Sequence, residues 1–128
     1  MSSKLLSLVA RTTAQRFQHS IRAMSTSSDN HFVIVVNDFT DPDALTRRLS
    51  VRDRHLAGAT INKNDGFLIS GGAILDAHGS GKMIGSSLIV KAANEEAVWE
   101  KLKKDPYVTG KVWNLSTAKI YAYKPASF

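Results

Sequence analysis

The order of strand-like and helix-like segments along residues 31–123 constrains this chain more than any other feature. "HFVIVVND", residues 31–38, is a continuous β-branched and aromatic run ended by turn formers, which predicts a buried strand. "TDPDAL" then opens a helix. Asp41 or Thr40 is placed to cap it, Pro42 suits the first helical position, and Asp43 suits the positive end of the macrodipole. Leu45, Leu49, Leu56 and Ala59 follow with helical spacing as the expected core face, and Asn62 to Gly66 close the helix. "GFLISGGAIL" and "MIGSSLIVKAA" predict a second and a third strand, joined by the polar loop "DAHGSGK". A second helix is expected from the cap Asn94, with Glu95 and Glu96 in its first turn and Val98 and Leu102 facing the core, until Pro106 forbids continuation. "KVWNLSTAKIYAY" is expected as the last strand. The resulting order is βαββαβ, an α+β class. It is the ferredoxin-like pattern, an antiparallel sheet with both helices on one face. The other face is left bare. Large exposed apolar patches are uncommon on soluble monomers, so a symmetric homodimer is the expected cover.

The first 28 residues stand apart from this body. They carry Lys4, Arg11, Arg16 and Arg22 and no acid, whereas residues 29–128 hold the other 13 basic residues and all 11 acids. Leu5, Leu6, Val9, Ala10, Phe17 and Ile21 fall along one broad helical face, with Lys4, Arg11 and Arg22 opposite. A Ser-, Thr- and Arg-rich, acid-free amphipathic segment is the composition of a mitochondrial transit peptide, so residues 1–28 are expected to direct import to the matrix. Arg22, three residues before Ser25, resembles the arginine upstream of matrix-processing cleavage. A start at Met24 would give a shorter, cytosolic form. Residues 29–128 are expected as one folded domain.

The composition narrows the function classes. The overall charge of +6 belongs largely to the leader, and the nearly balanced body does not have the basic footprint of a nucleic-acid binder. No apolar run approaches the ~20 residues of a membrane span. With no cysteine, a disulfide framework, a thiolate metal site and a cysteine nucleophile are excluded.

Several motifs fail on spacing. A phosphate-binding P-loop in "HGSGKMIG" would need glycine where Asp76 stands and Ser or Thr where Met83 stands. Gly79, Gly81 and Gly85 miss the dinucleotide spacing by one residue. His19, His31, His55 and His78 lack a second ligand at metal-binding spacing, so no metal and no cofactor is expected. No G-x-S-x-G nucleophile elbow is present.

Two residues remain unexplained. His55 sits in "RLSVRDRHL", residues 48–56, toward the core edge of the first helix. Asp105 is placed at the end of the second helix, where a carboxylate meets the negative end of the macrodipole at a cost of up to ~1 kcal/mol. Each has an ordinary reading: a partly buried structural histidine, and an aspartate marking the stop before Pro106.

"RLSVRDRHL" and "DPYVTGKVW", about fifty residues apart, closely resemble the two signatures of the YciI-like proteins, the YCII-related domain family. The resemblance covers roughly residues 31–124. It implies a dimeric ferredoxin-like α/β barrel with an active-site histidine and aspartate, which fall here on His55 and Asp105. Many relatives carry Gly-Pro after the second strand where this chain has Gly71-Gly72, so the pocket wall at Gly71 departs from the family pattern. Some members are linked to dehalogenating elimination on hydroxylated aromatic rings, which implies a small cyclic or enolisable substrate.

A carboxylate accepting the proton on one imidazole nitrogen fixes the tautomer and raises the basicity of the other nitrogen. Without a serine or cysteine nucleophile, such a pair suits proton abstraction, elimination or water activation. Arg52, one turn before His55, is a candidate for holding an anionic group, and Tyr107 for lining the pocket, though as a solvated arginine and a packing tyrosine they would have no such role. Two functions follow: a cofactor-free lyase or hydrolase using His55 and Asp105 on a small-molecule substrate, or a non-catalytic small-molecule binder or dimeric interaction module on the same fold.

Overall fold

The computed structural model describes residues 29–128, so the leader expected at residues 1–28 lies outside them. Four strands, β1 (Asn30–Asn37), β2 (Leu68–Leu75), β3 (Met83–Ala92) and β4 (Lys119–Tyr123), form one antiparallel sheet in the order β2-β3-β1-β4. Helix α1 (Ala44–Asn64) joins β1 to β2, and α2 (Glu95–Lys103) follows β3. A four-residue helix α3 (Pro106–Thr109) and a 3-10 turn (Leu115–Thr117) lead into β4. This is the ferredoxin-like α+β fold.

Alternation along β1 sorts the two faces of the sheet. Phe32, Ile34 and Val36 point inward, where they form one core with Val51 of α1 and Val98 and Leu102 of α2. Both helices therefore cover the same face. The intervening positions, Val33 and Val35, stand on the outer face beside Ile89 and Tyr121, their register partners or close neighbours on β3 and β4. Tyr121 and Tyr123 are exposed there.

Helix α2 forms as expected. Asn94 accepts from the Ala97 N–H at 2.9 Å, and Glu95 and Glu96 occupy the first turn. The β2–β3 connection is a turn organised by Asp76, whose carboxyl is lowered by hydrogen bonds from the Ser80 hydroxyl and the Ala77 N–H.

Three expectations are corrected. Helix α1 begins at Ala44, because Asp41, Pro42 and Asp43 form a turn in front of it rather than a cap and a first helical position. Within that turn the Asp41 carboxylate accepts from the Asp43 N–H at 3.3 Å and also takes both Nη atoms of Arg47 at 2.7 Å, and the Arg47 pairing above all lowers its pKa to about 2. The buried stripe of α1 is Ala44, Arg48 and Val51, while Leu49 and Leu56 are exposed. The helix is turned so that a charged residue faces inward, because a partner awaits it there. Lastly, β4 is confined to residues 119–123. Lys111 adopts a left-handed φ of 57°, Trp113 makes a single bridge to Asp38, and the Asn114 side chain caps the 3-10 turn, so residues 111–118 cannot extend as a strand.

Candidate active site

The site starts from the proline at 106. A residue before proline is pushed out of the helical region, and Asp105 is extended at φ −68°, ψ 138°. This ends α2 and begins α3, with Pro106 in its first turn and Asp105 as its N-cap, the Asp105 carboxylate accepting from the Tyr107 N–H at 2.8 Å. The expected clash with a helix C-terminus is therefore corrected: Asp105 caps the start of the next helix, where a carboxylate is favoured.

The same oxygen, Oδ1, lies 2.7 Å from His55 Nδ1. Fifty residues of sequence thus collapse to one hydrogen bond, part-buried on both sides. A carboxylate only accepts, so Nδ1 carries the proton in the neutral ring and Nε2 keeps its lone pair. Nε2 bonds to no group among the described residues.

Aromatic rings fix the imidazole plane. Tyr107 stacks on it at 3.7 Å between centroids and 8° between planes, and the Trp113 ring meets it edge-on at 5.4 Å. Tyr107 is itself buried, and desolvation raises its phenol pKa, keeping the hydroxyl protonated. The imidazole can therefore neither tilt toward the sheet nor swing away from Asp105 without breaking close contacts.

Beneath this stack lies a buried ion pair that sequence reasoning missed. Arg48 Nη1 lies 2.8 Å from both carboxylate oxygens of Asp38, with Arg48 only 3% and Asp38 6% exposed. Burial pushes the Asp38 carboxyl above its usual range, and the bond and charge of Arg48 offset only part of that. Arg48 Nη2 donates to Ser86 Oγ at 3.0 Å, as does Trp113 Nε1 at the same distance. The Arg48 guanidinium carbon also sits 4.8 Å from the Tyr107 ring centre. The available signal was the i, i+4, i+7 spacing of Arg48, Arg52 and His55, which puts two arginines and the histidine on one face of α1. Asp38, at the end of an apolar strand, reads in sequence as a turn former.

These elements enclose a cavity of about 190 Å³, lined by Arg48, Arg52, His55, Gly71, Ser86 and Tyr107, with Leu68, Met83 and Leu88 among its apolar walls. The structure thus brings His55, Arg52, Gly71 and Tyr107 to one cavity, with Asp105 behind the imidazole. A Cβ at Gly71 would stand 2.6 Å from Leu88 Cδ2, so glycine sets how close that wall comes. Arg52 has no acidic partner among the described residues, whereas Arg48 is neutralised by Asp38. Arg52 is thus the lining cation without a salt-bridge partner, while the Asp105 carboxylate behind the imidazole brings a negative charge close to it. No group of three potential metal ligands occurs among the described residues.

Fold and cavity together define a ferredoxin-like α+β domain with an oriented histidine at the wall of a small pocket that also carries an arginine unpaired among the described residues. Residues 31–117 match the YCII-related domain, and the chain belongs to that family. It is similar in fold to 5-chloro-2-hydroxyhydroquinone dehydrochlorinase of Burkholderia phenoliruptrix AC1100, solved with 2,5-dihydroxybenzoquinone. That structure gives a TM-score of 0.63 at 24% identity, over 75% of this chain and 95% of that one. It is also similar to aspercryptin biosynthesis cluster protein B of Emericella nidulans, at 30% identity over 87 residues. That match covers 64% of this chain and 56% of the relative, so the chain spans little more than half the relative's length. Among the described residues, no helix is long and apolar enough to cross a membrane.

Proposed function

We propose that this chain is a small cofactor-free enzyme in which His55 acts as general base on a small cyclic or enolisable molecule, by elimination or by hydrolysis. The observation that carries the reading is the 2.7 Å bond from Asp105 to His55 Nδ1, which leaves Nε2 as the lone pair at the cavity wall. Asp105 acts as the positioning residue: it holds the tautomer and offsets the positive charge that forms when Nε2 takes a proton.

The size of the cavity supports a single-ring substrate, since an engineered cavity of ~150 Å³ holds benzene. The charge of Arg52 favours an anion or a ring that becomes one. A substrate losing a proton to Nε2 develops negative charge, and Arg52 stands one helical turn away to stabilise it. The dehydrochlorinase of similar fold holds a hydroxyquinone, which makes hydroxylated rings the first compounds to try here.

The test is a screen of small hydroxylated and enolisable rings, comparing wild type with His55→Ala. Loss of ~10²–10⁴-fold in turnover in the variant is expected for a general base. Unchanged turnover would remove His55 from the chemistry. Stoichiometric binding without turnover in the wild type would favour the non-catalytic binder.

A further inference from the structure

Hydrogen-bond accounting at Ser86 points to a second polar feature of the cavity. A serine hydroxyl has one proton to donate and two lone pairs to offer. At Ser86 both lone pairs are taken, by Arg48 Nη2 and Trp113 Nε1, each at 3.0 Å. Neither partner can accept in return, since guanidinium and indole nitrogens only donate. The Ser86 proton must therefore point in a third direction. Among the described residues it meets no acceptor there.

Ser86 is only 4% exposed, so little of its hydroxyl reaches open solvent. The remaining direction is the cavity, which Ser86 lines. The neighbouring wall at Met83 and Leu88 offers no side-chain oxygen. Two donors pulling on Oγ, one of them the Arg48 guanidinium, also polarise the O–H bond and strengthen it as a donor. Asp38 holds that guanidinium in place, so the arrangement is set before any ligand arrives.

We infer that the Ser86 hydroxyl is a preorganised donor to an anionic oxygen of the ligand, and that the ligand is a single-ring oxyanion of the phenolate or enolate class. Arg52 supplies a cation without a salt-bridge partner among the described residues and Ser86 the directed bond. The inference rests on reading the cavity as the ligand site and is independent of whether His55 moves a proton. It also assigns a purpose to the buried Arg48–Asp38 pair, which holds Ser86 in this orientation.

The test uses binding alone, on the full chain. 4-Nitrophenolate, above the pKa of its phenol, is compared with 4-nitrotoluene, which has a similar shape but no phenolic oxygen. Wild type is expected to prefer the phenolate at least tenfold. A hydrogen bond to the phenolate oxygen should move its bound absorption to shorter wavelength. Ser86→Ala should lower phenolate affinity about tenfold or more, abolish the spectral shift and change nitrotoluene affinity less than twofold. Ser86→Cys, nearly the same size but a weak donor, should give the same pattern with less disturbance to folding and carries the test if the alanine variant does not fold. Equal phenolate affinity and an unchanged spectrum in the variants would overturn the inference. So would a wild type with no preference for the phenolate. Phenolate binding through Ser86 with no turnover of any ring would leave this inference standing and remove the role of His55; turnover lost in His55→Ala with no effect at Ser86 would do the reverse.

Discussion

Replacing Arg48 by Met should unfold the protein more readily than any surface change, and the penalty should shrink in acid. At 2.8 Å and an effective dielectric of ~20, the Arg48–Asp38 attraction is ~6 kcal/mol before desolvation is subtracted. Methionine fills much of the arginine stem's volume but leaves Asp38, 6% exposed, with no counter-charge. It also removes the hydrogen bond to Ser86 and the contact with the Tyr107 ring. Removing one member of such a pair costs ~3–5 kcal/mol, which is the loss expected at pH 7. The pH dependence follows from Asp38. Burial already raises its carboxyl in the intact protein against the lowering by Arg48; without Arg48 the raising grows. A carboxyl raised in the folded state keeps a proton that the unfolded chain has released. Stability then increases as pH falls through the folded pKa toward the ordinary value of 3.8, and is lost as pH rises. Urea unfolding of wild type and Arg48→Met at pH 7 and pH 5 measures both effects. Asp38→Asn/Arg48→Met, with no buried charge left, should recover most of the loss. A penalty below ~1 kcal/mol, or one that is equal or larger at pH 5, would refute the buried-pair reasoning.

Three other outcomes are expected. Gly85→Ala should cost ~1–3 kcal/mol in thermal or urea unfolding, because its Cβ would stand 2.5 Å from the Val36 carbonyl oxygen; Gly72→Ala, which meets nothing within 4 Å, should be close to neutral. We propose that residues 29–128 form a homodimer through the outer sheet face of Val33, Val35, Ile89, Tyr121 and Tyr123, so light scattering should give twice the monomer mass and Tyr121→Glu should shift it toward monomer; monomer mass at every concentration would oppose this. Residues 1–28 fused to a reporter should carry it into mitochondria, and a wholly cytosolic reporter would reject the transit-peptide proposal.

The fold was legible because its signals are local. The apolar run of β1, the Asn94 cap and the stop at Pro106 each act within a few residues, and their order alone limits the topology. What was misread depends on distant partners. Leu49 and Leu56 looked like the core face of α1, but the inward position belongs to Arg48, because Asp38, just past β1, and Ser86 of β3 take its two Nη groups. Hydropathy ranks leucine above arginine and has no access to a counter-charge ten residues back. Asp105 was misplaced by one structural step. Pro106 was seen to end a helix, but not to begin another one that Asp105 caps. The left-handed Lys111 likewise carries no glycine or asparagine signal, so the late start of β4 was hidden. Of the cavity and its supports, Arg52, His55, Gly71 and Tyr107 were named from sequence, whereas Arg48 and Ser86 in the lining and Trp113 behind it were not, since their importance lies in what they touch.

The tautomer of His55 tests the central claim most directly. A histidine free in water prefers its proton on Nε2, so a proton on Nδ1 has to be imposed by an acceptor such as Asp105 at 2.7 Å. Nitrogen-15 NMR of the imidazole at a pH where the ring is neutral distinguishes the two forms. Wild type should show the His55 proton on Nδ1 with Nε2 unprotonated, and Asp105→Ala should return the ring to the Nε2–H form. A wild-type His55 already protonated on Nε2, or a ring indifferent to the loss of Asp105, would contradict the claim that this histidine is held ready as a base.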